Sequence, residues 1–154
     1  RARHLAGLHR PYHGRGAAVT RTLRLIIAAL TFQMASRGLD YIMGNTHSGV
    51  GVFELDGLGA AFAWGVACLV AAIIITVGLI GKSDQVVRAG ALLATAIYLA
   101  FALMVTDDVF KDGTFDDWRY LTLYLSAAFI WVVIAWALTV RLAVAQHREE
   151  TSDD

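Results

Sequence analysis

The sequence predicts an all-α integral membrane protein with four transmembrane helices in an antiparallel up-down bundle. Of its 154 residues, 57% are hydrophobic and 17% are charged, whereas soluble domains usually have about 45–50% apolar and about 25% charged residues. Four stretches stay apolar over the roughly 20 residues that a helix needs to cross the hydrocarbon. The links between them are too short for another domain, and no sustained period-two alternation indicates a barrel.

The first helix is predicted over residues 23–43. Its basic start and apolar core also fit a signal peptide, which requires small residues at positions −3 and −1 of the cleavage site. Cleavage after Ser36 would place Met34 at −3, and cleavage after Ala35 would place Gln33 there. A retained helix is therefore the favoured interpretation.

The other three helices are predicted over residues 58–80, 86–105 and 120–140. The second contains no charged residue, and the third has Arg88 in its first turn. The polar turn 81–85 is short enough to predict a helical hairpin between the second and third helices. Residues 19–145 then form the transmembrane domain, and 146–154 form a polar cytoplasmic tail.

Residues 1–18 differ from the rest because they are rich in Arg, His and Gly. Val19 fits a natural start, since valine can mark a GTG initiation codon, so 1–18 are predicted to be a disordered or non-native leader. The alternative is a basic arm that binds anionic lipid headgroups. His4, His9 and His13 lack acidic or cysteine partners nearby, so no metal site is expected there.

The distribution of Lys and Arg predicts the orientation. On one side of the predicted membrane, the loops and ends carry only Lys111 and Arg119. The basic residues of the other side are Arg1, Arg3, Arg10, Arg15, Arg21, Arg24, Lys82, Arg88, Arg141 and Arg148. Because cytoplasmic segments carry the excess of basic residues, both termini are predicted to be cytoplasmic in a multi-pass protein of the inner (plasma) membrane.

Polar residues in the first helix are the main candidate site. Gln33 and Arg37 are four residues apart, and Asp40 follows three later, so all three share one helix face. One interpretation is an Arg37–Asp40 ion pair that sets the depth of the helix. The other is an intramembrane polar seam that lines a pore or contacts a partner, because intramembrane charges are costly and usually functional.

Small residues at four-residue spacing are candidates for helix packing, because they let helix backbones approach closely in lipid. They are Gly59, Ala63 and Gly65 on the second helix and Gly90 and Ala94 on the third. Packing within one bundle is favoured over oligomerisation. Tyr41, Trp64, Trp118 and Tyr120 lie near predicted helix ends and fit interfacial anchors.

No pattern points to catalysis, and neither an enzyme nor a cofactor is expected. The acidic loop 106–117 lacks the alternating ligands and final glutamate of a calcium loop, and Lys111 interrupts it. No catalytic or zinc-binding motif is present. With net charge zero and one cysteine, Cys68, neither nucleic-acid binding nor an intrachain disulfide is expected.

Three short motifs resemble known proteins: Arg37-Gly38-Leu39-Asp40-Tyr41, Trp64-Gly65 and Asp117-Trp118-Arg119. Over residues 20–140, the chain resembles small four-helix membrane proteins encoded by phages of actinobacteria, some of which are holin-like. This resemblance implies assembly in the host inner membrane without a cofactor.

Three functions are consistent with these features. A holin-like protein would oligomerise and open membrane lesions for a lytic enzyme. An accessory subunit or assembly factor would instead join a larger membrane complex. A small transporter or channel is less favoured, because the helices contain few ionisable residues. In each case, the lipid bilayer is the first partner, and a homo-oligomer or larger complex is the second.

Overall fold

Residues 13–43, 58–112 and 118–151 are described by the computed structural model, and within them the chain is helical with no β-strand. Four helices follow in order: α1 (His13–Met43), α2 (Leu58–Ile80), α3 (Asp84–Asp112) and α4 (Trp118–Glu150). The all-helical class expected from the sequence is therefore observed.

Only in α2 do both ends of the helix match the predicted bounds closely. This helix has no charged residue, and segments that contain glycine lie on either side of it. Helix α3 continues through the acidic segment to Asp112, and α4 continues through most of the predicted polar tail to Glu150. Helix α1 begins at His13, within the predicted leader. An apolar run marks the part of a helix that lies in lipid. The backbone hydrogen bonds of the same helix can continue beyond that part into water.

Three helices are long and apolar enough to cross a membrane: Phe62–Ile80, Asp84–Thr106 and Trp118–His147. Within the described residues, α1 is not among these apolar spans, and it carries the charged residues Arg21, Arg24, Arg37 and Asp40. The outer surface carries many exposed large apolar side chains, among them Phe32, Ile73 and Phe129. Such a surface belongs in lipid rather than in water.

One core joins the four helices. Its largest fully buried side chains are Ile27, Met34, Cys68, Ile75, Phe101, Val105, Trp131 and Leu138. Helix α1 packs along α2, α2 packs along α3, and α3 packs along α4. Small residues allow these contacts: a Cβ at Gly90 would lie 2.5 Å from Cγ1 of Ile75, and one at Gly78 would lie 2.7 Å from the Val87 nitrogen.

The α2–α3 turn closes one helix and starts the next within three residues. The Ser83 amide donates to the Gly78 carbonyl at 2.9 Å, and the Lys82 amide donates to the Leu79 carbonyl at 3.4 Å. This is a Schellman motif, and Lys82 has the left-handed conformation that it requires, with φ 52°. Ser83 also caps α3, because its Oγ accepts from the Val86 amide at 3.4 Å.

Threonine hydroxyls in the helices are satisfied locally. Each donates to a carbonyl one turn earlier at 2.7–2.9 Å: Thr31, Thr76, Thr95, Thr106, Thr122 and Thr139. In hydrocarbon no water can take over these bonds. The helices can therefore carry threonine on either face without a partner helix.

Candidate functional site

Helices α1 and α2 come closest at Gly38 and Gly65. A Cβ at Gly38 would lie 2.9 Å from the Gly65 carbonyl oxygen, and one at Gly65 would lie 2.8 Å from the Gly38 carbonyl oxygen. Two glycines facing each other are needed because the obstacle on each side is backbone. This crossing brings Arg37 and Tyr41, on either side of Gly38, close to α2 and the bundle core.

An aromatic cluster surrounds Phe101 at this level of the bundle. The Phe101 ring centroid lies 4.9 Å from that of Trp64, 5.3 Å from that of Tyr124 and 5.7 Å from that of Tyr41. Tyr98 extends the cluster, with its ring 6.5 Å from that of Tyr124. The side chains of Tyr41 and Tyr124 also lie close to each other. All four helices therefore contribute a ring.

Arg37 meets this cluster from its edge. Its guanidinium carbon lies 5.2 Å from the centroid of the Tyr124 ring, within the range of a cation–π interaction. The side chain is half-buried, at the boundary between the buried and exposed faces of α1. Helices α1 and α4 are thus joined through Arg37 and through the Tyr41–Tyr124 contact.

The other two members of the predicted polar seam face outward. Gln33 and Asp40 are both exposed. Within the described ranges, no hydrogen bond or ion pair engages either side chain, and Arg37 forms no ion pair with Asp40. The structure therefore places the Arg37 cation against an aromatic ring rather than against the neighbouring carboxylate.

We define the α1 polar stripe as Gln33, Ser36 and Asp40. These residues have the i, i+3, i+7 spacing that puts side chains on one helix face, and all are exposed. The Ser36 hydroxyl donates to the Phe32 carbonyl at 3.0 Å. The Gln33 amide and the Asp40 carboxylate have no such local bond, so they are the groups of the α1 polar stripe that are left to interact with their surroundings.

Some of the predicted packing residues are buried between helices and others are exposed. Gly65 and Gly90 are buried against neighbouring helices, and Ala94 is fully buried. Ala63 is exposed. Gly59 lies in α2, but its burial is outside the described part of the chain.

The predicted interfacial anchors are likewise found in two settings, at the start of α4 and in the aromatic cluster. Trp118 is 45% exposed at the start of α4, and Tyr120 is partly buried against the core. Tyr41 and Trp64 instead pack in the aromatic cluster. The predicted caps Asp116 and Asp117 lie outside the described residues.

An ion pair joins α3 and α4 at the other end of the bundle from the aromatic cluster. Arg141 Nη2 lies 3.4 Å from Asp84 Oδ2, with the side chains 41% and 25% exposed. Asp84 is in the first turn of α3, where a negative charge also interacts favourably with the helix dipole. The pair ties the α2–α3 turn to the distal half of α4.

Sequence reasoning missed four residues of the aromatic cluster and its surroundings: Cys68, Tyr98, Phe101 and Tyr124. The available signal was the polar hydroxyl of Tyr98 and Tyr124 deep in apolar stretches, where tyrosine needs a partner. Their convergence on Arg37 depends on contacts between helices that are distant in sequence. Among the described residues, no group of three or more His, Cys, Asp or Glu could hold a metal ion.

Comparison with protein-family models, with curated proteins and with solved structures finds no match. The site must therefore be interpreted from its own geometry.

Proposed function

We propose that the protein is a four-span, antiparallel bundle of the inner (plasma) membrane with both termini in the cytoplasm. Contacts that run in opposite directions along neighbouring helices support the antiparallel order: Gly78 is near Val87 and Gly90 is near Ile75. We include α1 as the fourth span, which is supported by its buried Ile27 and Met34 and its exposed Leu25 and Phe32. The asymmetry of Lys and Arg supports the orientation.

We further propose that the protein is a non-enzymatic, holin-like protein that self-associates and permeabilises the membrane. The observation that carries this proposal is the exposed α1 polar stripe. A lone bundle would turn the Gln33 amide toward hydrocarbon, where no water can satisfy it, whereas Asp40 lies three residues before the end of α1 and nearer the headgroups. Association of α1 with α1 of another copy removes this cost for Gln33, because its amide can both donate and accept.

Self-association also provides a route to a lesion. Glutamine side chains hydrogen-bond across membrane helices, at about 0.6 kcal/mol on average per bond. Such weak contacts favour assembly only at high surface density. In a ring of bundles, the α1 polar stripes face a common hydrated centre, while α2, α3 and α4 present apolar residues to lipid.

Inducible expression with a membrane-potential dye tests this function. We expect sudden depolarisation once the protein exceeds a threshold density. Gln33→Leu with Asp40→Leu should insert in normal amounts yet fail to depolarise, because its α1 face is apolar. Thr122→Val is the matched control, since the exposed Thr122 hydroxyl bonds only within its own helix.

Two outcomes would overturn the proposal. One is the absence of depolarisation at every expression level, and the other is full depolarisation by the double variant. Stable co-purification of one different membrane protein through the α1 polar stripe would instead favour an accessory subunit of a larger complex.

A further inference from the structure

Arg37 brings a positive charge to the edge of the bundle. It is half-buried in the bundle and its guanidinium lies over Tyr124. Nowhere in the described ranges does a carboxylate approach it within ion-pair distance. The Tyr124 ring attracts one face of the planar guanidinium. The five N–H donors around the edge of the guanidinium have no anionic acceptor among the described residues.

The rings near Arg37 support it at the edge of the bundle. Tyr124, which lies under the guanidinium, and Tyr98 beside it are buried, whereas Tyr41 is half-buried. Phe101 and Trp64 form the apolar floor of the cluster. With no described carboxylate within ion-pair distance, the half-buried Arg37 cation favours a negatively charged ligand.

The location indicates how such a ligand arrives. Arg37 is six residues before the last residue of α1, Met43, which at about 1.5 Å per residue places its Cα roughly 9 Å from that end. An arginine side chain can extend from this depth toward the headgroups. The extensive helix contacts are α1 with α2, α2 with α3 and α3 with α4, so the half-buried Arg37 lies where α1 and α4 meet only sparsely.

We propose that Arg37 binds the phosphate of an anionic lipid headgroup at the edge between α1 and α4. A guanidinium matches phosphate oxygens through two parallel hydrogen bonds. The site is distinct from the α1 polar stripe and does not depend on permeabilising activity.

Lipid retention measured by native mass spectrometry tests the site. The protein is purified from membranes and exchanged into nanodiscs of phosphatidylcholine that contain phosphatidylglycerol as a minor component. We expect the wild-type protein to retain phosphatidylglycerol preferentially, and Arg37→Gln to lose about tenfold in retention, which is the scale of one charge-assisted hydrogen bond. Arg119→Gln, an exposed arginine at the start of α4, is the matched control and should retain the lipid.

Two further variants keep the test decisive if Arg37→Gln does not fold. Arg37→Lys keeps the charge but not the paired donors, so it should retain less lipid than the wild-type protein. Tyr124→Phe keeps the ring under Arg37 and removes only a buried hydroxyl, so it should retain the lipid as the wild-type protein does. Equal retention of phosphatidylglycerol by Arg37→Lys and the wild-type protein would overturn the proposal.

A second arm separates the two sources of phosphate. Inorganic phosphate is titrated into the detergent-purified protein and its binding is measured by calorimetry. Binding of free phosphate that is lost in Arg37→Lys would support the phosphate site with a soluble ligand, whereas retention of phosphatidylglycerol alone assigns it to lipid. A wild-type protein that binds neither probe, yet depolarises membranes in the dye assay, would overturn this site and leave the proposed function standing.

Discussion

Arg37 is where the polar face of α1 meets the aromatic interior. Its guanidinium lies 5.2 Å from the centre of the Tyr124 ring. A cation over an aromatic face contributes about 0.5–1 kcal/mol at exposed sites and about 2 kcal/mol when desolvated. Because Arg37 is half-buried, we expect a contribution between these limits.

A double-mutant cycle on Arg37→Met and Tyr124→Leu measures this contribution. We expect a coupling free energy of about 1 kcal/mol in the unfolding of the protein in mixed micelles. The same cycle with Tyr120→Leu in place of Tyr124→Leu is the control, since Tyr120 lies at the start of α4, one turn away. If the double variant loses the sum of the two single losses in unfolding free energy, to within about 0.3 kcal/mol, the two side chains do not interact.

The importance of Arg37 is predictable from the sequence, whereas its partner is not. A charge within an apolar stretch is conspicuous, and the nearest opposite charge along the helix is Asp40. Local spacing therefore favours an ion pair. The packing of α1 against α2 turns Asp40 outward and Arg37 toward Tyr124, a residue that is distant in sequence, so the pairing follows from tertiary contacts alone.

At the scale of helices, the α1–α2 contact depends on two glycines. Their close approach leaves only 2.8–2.9 Å between an added Cβ and the opposite carbonyl oxygen. Because the obstacle is backbone, the helices themselves must separate to accept a methyl group. Separation would also draw Tyr41 away from Phe101.

Gly65→Ala tests this contact. We expect it to lower the free energy of unfolding by about 1–3 kcal/mol, the usual cost of overpacking. Gly81→Ala is the control, because Gly81 is exposed and a Cβ there would meet only the Val77 carbonyl of the preceding turn, at 3.1 Å. Equal stability of the two variants would contradict the close α1–α2 approach.

Helix bounds are predictable where apolar residues end at a turn signal. Gly81 and the polar residues after it end α2 as expected, because the Schellman motif forms there. The predicted ends of α3 and α4 lie at Val105 and Val140, where hydropathy drops. Helical residues follow in both cases, as far as Asp112 and Glu150, since polarity ends a membrane span but does not break a helix.

At the scale of the whole molecule, orientation is open to direct measurement. In a Cys68→Ala background, we expect Asp112→Cys to react with a membrane-impermeant maleimide in intact cells. Ser83→Cys, in the α2–α3 turn beside Lys82, should react only after the membrane is broken. This order follows from the excess of basic residues on the side of that turn. Labelling of Ser83→Cys in intact cells, with Asp112→Cys protected, would establish the inverted topology.

The polar contacts also imply an order of assembly during translation. Threonines in α2, α3 and α4 bond within their own helices, so each of these helices is ready for lipid as it leaves the ribosome. The cation of α1 is different, because its ring partner Tyr124 belongs to the helix that is synthesised last. A chain arrested before α4 would hold Arg37 without that partner. Helix α1 is therefore synthesised first, but its Arg37 gains the Tyr124 ring as a partner only after α4 has been made.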